Sequence, residues 1–301
     1  MKKVIITGAN GFIGSSLANK LIDNHIEVIA IDITFKESRL KQSEYLTCVE
    51  TSVDNVEKLR SMIPLGDYDV FYHLAWCGVN GPAKADPDVQ LRNIQSAINC
   101  AKVAKLLNCK KLLCSGTVAE QGVFSIPSLK VVSGGMLYAA AKYNCHIMLE
   151  TFCKNIGLPF IWMQFSNIYG VGNKTGNIVS YTLGELMAGK EATFGPALQP
   201  YDFIYVDDLI EAIFRLGVNA THKSFYYIGS GKPCILKDYL LRIGELAGCS
   251  EKIGIGIRPD DGIKYSMDMF DNSDLVSTIG AYVSTDFDCG INKTIKWLKS
   301  L

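Results

Sequence analysis

Short runs of β-branched and aromatic residues alternate with segments of helical apolar spacing through the first 170 residues. Val4-Ile5-Ile6 opens the pattern as a strand of the kind buried on both faces. A turn follows at Thr7-Gly8-Ala9-Asn10-Gly11-Phe12-Ile13-Gly14. Leu17, Leu21 and Ile22 then repeat at helical spacing through residues 15–24. Ile26-Glu27-Val28-Ile29-Ala30-Ile31 predicts a second strand, ending on Asp32. Beyond it the pattern predicts a strand near residues 44–48, a short helix over 55–62 and a strand over 68–74. A loop with Gly78, Gly81, Pro82 and Pro87 comes next, where the sheet rule for α/β proteins puts ligands. A long helix is predicted over 89–107, with Ile94, Ala97, Ile98, Ala101 and Ala104 on one side. A strand at 110–115, a loop at 121–135, a helix at 137–155 and a strand at 159–165 complete the regular part. This alternation predicts the α/β class with a doubly wound parallel sheet, the Rossmann arrangement. From residue 171 Gly, Asn and Pro are frequent and strands are short. The expected organisation is therefore a dinucleotide-binding domain at 1–170 and a smaller, mainly substrate-binding region at 171–301. Residues 203–216, a strand then a helix, are expected to return to the sheet.

Composition narrows the function classes. The chain has 301 residues, 48% hydrophobic and 20% charged, which describes an ordinary globule rather than a disordered or fibrous chain. Lys+Arg and Asp+Glu number 30 each, so nothing favours nucleic acid as a partner. No apolar run is long enough to cross a bilayer, and the glycines at 8 and 11 interrupt the apolar start too early for a signal peptide. The ten cysteines form no Cys-x-x-Cys pair, and the four histidines are scattered at 25, 73, 146 and 222. The expectation is no metal site, reduced cysteines serving as small apolar residues, and a cytoplasmic location.

The first strand, turn, helix and second strand together form the context of a dinucleotide fingerprint. A helix N-terminus offers unpaired N–H groups and a partial positive charge to a pyrophosphate. Gly8 permits the tight turn, Gly11 lets the backbone approach the phosphates, and Gly14 lets helix and strand pack closely. Asp32, 18 residues after Gly14, is placed to accept hydrogen bonds from a ribose diol, which favours NAD(H). A second constellation is Tyr138-Ala139-Ala140-Ala141-Lys142. On a helix, residues four apart share a face. An ammonium roughly 4 Å from the phenol, at an effective dielectric near 20, would favour the phenolate by about 4 kcal/mol. That corresponds to about three pKa units, enough to make Tyr138 an acid/base at neutral pH. Thr117, after a strand at the sheet's carboxyl edge, is placed to hydrogen-bond a reacting oxygen.

The Gly-x-x-Gly-x-x-Gly spacing with this tyrosine–lysine pair resembles the short-chain dehydrogenase/reductase superfamily. More closely, the chain is similar to its extended branch, the NAD-dependent epimerase/dehydratase group acting on nucleotide sugars. The matching pieces run nearly end to end: Gly8 to Gly14, His73-Leu74-Ala75, Asn93, Ser115 to Thr117, Tyr138 with Lys142, Phe165-Ser166-Asn167-Ile168-Tyr169-Gly170, and Asp202-Phe203-Ile204-Tyr205-Val206-Asp207-Asp208. The resemblance implies NAD(H), with NADP(H) as the alternative, held by Gly8, Gly11, Phe12, Ile13, Gly14, Asp32, Ser52, Val53, Leu74, Ala75, Trp76, Tyr138, Lys142, Phe165, Asn167 and Ile168. It implies Thr117, Tyr138 and Lys142 as catalytic residues. A nucleotide-sugar substrate would be held by Thr117, Asn167, Tyr201 and Arg258, in a homodimer. Two departures stand out. Tyr201 occupies a position where the family often has Arg, and Ser52 one where many members have Asp.

The reaction follows from what flanks Thr117. A 4,6-dehydratase of this group carries Asp-Glu directly after its threonine; here Val118-Ala119 stand there. A 3,5-epimerase/reductase needs a cysteine at 119, which is alanine. Reduction of a 4-keto-6-deoxyhexose nucleotide and 4-epimerisation remain. The His-Leu-Ala-Trp and Tyr-Ala-Ala-Ala-Lys segments look more like the 4-ketoreductases such as abequose and paratose synthases, whereas Asp32 leans toward the NAD-retaining epimerases. A dinucleotide sensor without turnover would be expected to lose the Tyr138/Lys142 pair.

Overall fold

The computed structural model describes residues 1–129, 132–260 and 262–301. Residues 130 and 131 of the expected 121–135 loop, and residue 261 of the expected substrate region, lie outside them. The first half alternates as β1 (Lys3–Thr7), α1 (Phe12–Asp23), β2 (Glu27–Asp32), β3 (Leu46–Glu50), α2 (Val56–Met62), β4 (Val70–His73), α3 (Pro87–Leu106), β5 (Lys111–Thr117), α4 (Gly135–Ile156) and β6 (Phe160–Phe165). Local chemistry fixes several of these boundaries. The Asn55 side chain caps α2 by accepting from Lys58 N at 2.8 Å. Asp86 caps α3 ahead of Pro87, whose missing N–H costs nothing in a first turn. Gly157, left-handed at φ 63°, ends α4.

Further along come β7 (Asn167–Tyr169), α5 (Ile178–Met187), β8 (Ala192–Thr193), β9 (Pro200–Tyr201), β10 (Phe203–Tyr205), α6 (Val206–Val218), β11 (Phe225–Ile228), β12 (Cys234–Ile235), α7 (Leu236–Ala247) and β13 (Ile253–Gly254). The main sheet is seven-stranded, in the order β11-β6-β5-β4-β1-β2-β3. β1 lies between β2 and β4, both parallel to it, with Val4 opposite Val28 on one side and Val70 on the other. The strand order reverses at β1/β4, the switch point beside which α/β sheets bind ligands. The Rossmann expectation is met. On one face Ile5, Ile29, Phe71 and Leu112 pack under Ala97, Cys100, Ala101 and Ala104 of α3 and Cys145, Leu149 and Cys153 of α4. The buried cysteines thus serve as small apolar residues of this core.

Two expectations need correction. The strand at the start of 203–216 does not join the main sheet: β10 pairs in parallel with β7, and β11 takes the sheet edge instead. What returns is the later part of α6, where Lys111 Nζ donates to Leu216 O at 2.7 Å and Lys20 pairs with Glu211 at 2.6 Å. The second correction concerns the expected 121–135 loop, whose first part is 3-10-helical within Val118–Ser128. The chain folds as two compact units. One comprises Met1–Glu120, Gly134–Gln164 and Ile210–Tyr226; the other comprises Gln121–Ser133, Phe165–Leu209 and Tyr227–Leu301. Against an expected boundary at 170, residues 121–133 and 165–170 thus group with the second unit, and 210–226 with the first.

Candidate active site

The glycine turn leaves β1 with Gly8 in the left-handed region at φ +70°. A Cβ there would lie 2.7 Å from Ala75 N, because the main chain after β4 runs directly against it. A Cβ on Gly14 would sit 2.0 Å from Gly8 O, and one on Gly11 would sit 3.2 Å from the same oxygen. Gly8 is therefore required by close backbone approach as well as by its left-handed conformation, and Gly14 by close approach alone. Gly11 precedes α1 and caps it with no side chain, so the N–H groups of the first turn, at Phe12 and Ile13, remain available to an anion. Asp32 ends β2 beside this turn. Its Oδ2 accepts Asn10 N–H and its Oδ1 accepts Ile33 N–H, both at 2.8 Å, which aims the carboxylate while leaving lone pairs for a diol. Ser52 and Val53 follow β3. Their segment is pinned to α3, where Asn99 Nδ2 donates to Asp54 O at 2.7 Å and Ser96 Oγ to Asp54 Oδ1 at 2.8 Å. These residues fit a dinucleotide: an uncapped helix start for the pyrophosphate, a carboxylate for a ribose, and no room for side chains where phosphates approach. Asp32 also repels a 2′-phosphate. We expect NAD(H) to bind at least about tenfold more tightly than NADP(H), with Asp32→Ala abolishing most of the difference in fluorescence titrations.

The catalytic candidates come together in the same unit. Thr117 ends β5, and its hydroxyl hydrogen-bonds the Tyr138 phenol and accepts Ala119 N–H at 3.3 Å. Lys142 lies one turn after Tyr138 on α4, 3% exposed. Its Nζ, however, donates to Ser115 O at 2.7 Å and stands 3.8 Å from the centre of the Trp76 ring, a cation–π contact. The sequence-based electrostatics therefore need correction. Burial, with Glu120 adding to it, holds the Tyr138 phenol above its usual value, and only the Thr117 hydroxyl pulls it down. Lys142 itself is lowered by burial. In the protein alone Tyr138 is a protonated phenol, suited to giving a proton rather than taking one.

Leu74, Ala75 and Trp76 lead out of β4, where His73 Nδ1 meets Thr7 Oγ1 at 2.8 Å. Two buried side chains of α3 shape this exit. Asn93 bonds both main-chain groups of Cys77, at 2.9 and 2.8 Å, and Gln90 accepts Trp76 Nε1–H at 3.0 Å while donating to Gly78 O and Ala83 O. Trp76 is thereby set edge-on to Tyr138, with ring centres 6.3 Å apart. Three contributors escaped the sequence reading: Gln90, Lys84, whose Nζ lies 5.2 Å from the centre of the Tyr138 ring, and the buried Glu120. An i,i+3 spacing of Gln90 and Asn93 was the available signal for the first. Nothing local marks the other two.

The second unit carries the remaining candidates. Phe165 ends β6, and Asn167 and Ile168 lie on β7, where Asn167 Nδ2 donates to Asp202 O at 3.1 Å. Tyr201, on β9, stacks obliquely with Phe203 at 5.0 Å. Arg258 is exposed, and its Nε donates to Thr193 Oγ1 at 2.9 Å and its Nη2 to Tyr181 OH at 2.5 Å. It borders a pocket of about 290 Å³ also lined by Phe194, Ala197, Gln199 and Leu236. Tyr201 does not line that pocket and so is not brought together with Arg258 by it.

The sequence profile of the NAD dependent epimerase/dehydratase family matches residues 4–229, about three quarters of the chain. The chain belongs to that family. Its members are NAD-dependent enzymes, in keeping with the glycine cradle and Asp32. The chain is 25% identical to Protein CapI of Staphylococcus aureus over 98% of both chains. It is 22% identical to the dTDP-4-dehydro-6-deoxyglucose reductase of Escherichia coli over 98% of this chain and 97% of that one. Its fold is shared with a UDP-N-acetylglucosamine 4-epimerase from Methanobrevibacter ruminantium M1 in complex with UDP-N-acetylmuramic acid (TM-score 0.81, 24% identity, 99% and 98% coverage). No helix among the described residues is long and apolar enough to cross a membrane.

Proposed function

We propose that this family member reduces C4 of a 4-keto-6-deoxyhexose carried on a nucleotide, using NADH. The observation that carries this reading is the hydrogen bond between the Tyr138 phenol and the Thr117 hydroxyl, with no acid or base at 118 or 119 to support elimination of water. The nicotinamide, when bound, supplies the hydride. Tyr138 gives its proton to the oxygen at C4, and the Thr117 hydroxyl steadies the same oxygen as charge develops there. Trp76, with the Lys142 ammonium on its face, confines that phenol. The similarity to a dTDP-4-dehydro-6-deoxyglucose reductase supports this direction. The alternative, 4-epimerisation with retained NAD, is favoured by Asp32 and by the fold shared with a 4-epimerase. Stopped-flow absorbance at the nicotinamide band tests both. Stoichiometric consumption of NADH on adding a 4-keto nucleotide sugar supports the reductase; interconversion without net cofactor change supports the epimerase. Silence toward every nucleotide sugar, with NAD still bound, would contradict both.

In the second unit Asn167, Tyr201 and Arg258 are the proposed contacts to the substrate's nucleotide diphosphate. Arg258, already oriented by Tyr181 and Thr193, is a phosphate clamp on the rim of a pocket of suitable character. Arg258→Met is expected to raise KM for the nucleotide sugar by about tenfold, since charge-assisted bonds of this kind contribute roughly 1.5–3 kcal/mol, while leaving kcat close to its starting value. Steady-state kinetics check this. The cofactor contacts of Phe165 and Ile168 are proposed on the family resemblance. The free cysteines suit a reducing compartment, the cytoplasm. Exposed Leu91 and Leu106 on α3 and Ile147 and Met148 on α4 suit a homodimer seam. Sedimentation velocity is expected to show a dimer, reduced to monomer by Met148→Glu; a monomeric parent protein would contradict it.

A further inference from the structure

Glu120 follows β5 and is 1% exposed. Its oxygens accept three N–H bonds: Oε1 from Thr117 N at 2.6 Å, and Oε2 from Trp162 Nε1 at 3.1 Å and Gln164 Nε2 at 3.3 Å. Burial raises this carboxyl to about 7, while the three donors and the Lys142 charge pull it back toward its ionised, acceptor-only form. Lys142 meets the same structure from another side. Its Nζ binds Ser115 O, two residues before Thr117, and lies 5.8 Å from the centre of the Trp162 ring whose N–H Glu120 accepts. A buried ammonium and a buried carboxylate therefore share one stretch of β5 and one indole. Charges persist in such surroundings when they compensate each other. Gly116 between them leaves the room: a Cβ there would be 2.2 Å from Trp162 Nε1 and 2.8 Å from Glu120 Oε1.

We propose that Glu120 is the fixed counter-ion of the site, a positioning residue whose carboxylate holds the Thr117 main chain against β6 and keeps Lys142 an ammonium. The inference rests on reading Thr117, Tyr138 and Lys142 as the reacting groups. The other groups facing Lys142 are His73 of β4, Cys114 of β5, Cys145 of α4 and the Trp76 ring, and Tyr138 lies one turn away on α4. Burial pushes the His73 imidazole down to about 3 and raises both thiols and the phenol, so all are uncharged near neutral pH. Lys84, over the Tyr138 ring, adds only positive charge. Glu120 alone among these supplies the negative charge.

Glu120→Gln keeps the shape and removes the charge. Protein labelled with [ε-13C]lysine reports Lys142 directly, its signal identified by its loss in Lys142→Met. We expect Lys142 to release its proton about one pH unit lower or more in E120Q than in the parent protein, with E120D restoring most of the difference. The alkaline limb of kcat should move down with it while KM stays within about twofold. A folded E120Q with an unmoved Lys142 titration would overturn the proposal. So would a uniform loss of kcat with an unmoved limb, which is what a purely structural role produces. Should E120Q not fold, the parent protein decides: its Lys142 signal must show a second inflection where Glu120 titrates, and a single inflection overturns the proposal. The lysine signal is read without substrate, so it tests the counter-ion role even if the proposed reaction fails.

Discussion

Tyr138→Phe is expected to lower kcat by about 10²- to 10⁴-fold, the range that a positioned proton donor contributes. The substitution removes one oxygen from a half-buried ring whose position is fixed by other contacts. Trp76 packs edge-on against it, and Trp76 is itself held by Gln90 and by the Lys142 ammonium on its face. The phenylalanine ring should therefore stay in place, and NADH affinity should change by less than about threefold. On the proposed reaction, what is lost is the proton for the oxygen at C4, together with one partner of the Thr117 hydroxyl. Thr117→Val should show the same pattern with a smaller fall, since the hydroxyl steadies the oxygen but does not supply its proton. Single-turnover kinetics beside cofactor titration separate the two effects. A Tyr138→Phe protein with unchanged kcat would remove the phenol from the chemistry.

Gly14→Ala should act on the other half of the machinery and weaken cofactor binding strongly. Its Cβ would lie 2.0 Å from Gly8 O and 2.9 Å from Ala9 Cα, both main-chain atoms that have no rotamer to change. The turn must open or α1 must withdraw, and either movement takes the first N–H groups of α1 off the pyrophosphate. Overpacking of this kind costs about 1–3 kcal/mol, so NADH affinity should fall by about tenfold to a hundredfold and Tm should drop. Gly184→Ala in α5 is the control. Nothing lies within 4 Å of a Cβ there, and alanine in a helix interior should leave cofactor affinity intact and stability unchanged or slightly raised.

The strand, glycine turn, helix and Asp32 proposed to hold the cofactor were legible as structure because they are local. A β-branched strand, a turn spaced by three glycines, an apolar-periodic helix and a strand ending on Asp32 occupy about 30 consecutive residues, and each signal constrains its neighbours. The Tyr138/Lys142 pair was legible as spacing on a helix, but spacing fixes only which face the two side chains share. Where the ammonium points was decided by Ser115 O on β5 and the Trp76 ring, and the phenol consequently carries the opposite electrostatic character from the one inferred. Glu120 could not be read as a site residue, because its partners Trp162 and Gln164 lie 42 and 44 residues away on a different strand. The exchange of β10 for β11 at the sheet edge has a similar origin. Three- and four-residue strands of aromatic and β-branched character carry no pattern that names their neighbour. Arg258 was reached through family resemblance, while the pocket it borders is assembled from Ile178, residues 193–197, Gln199 and Leu236, which share no sequence signal.

The central claim is that hydride passes between nicotinamide and C4 of a nucleotide-linked sugar while Tyr138 handles the proton. Incubation with [4-2H]NADH of either face and a 4-keto-6-deoxyhexose nucleotide, followed by mass spectrometry and NMR of the product, tests it most directly. One of the two labelled cofactors should yield a product one mass unit heavier, with the deuterium wholly at C4 and none in the Tyr138→Phe reaction over the same interval. Product lacking deuterium with both cofactors, or label at any other carbon, would contradict the account.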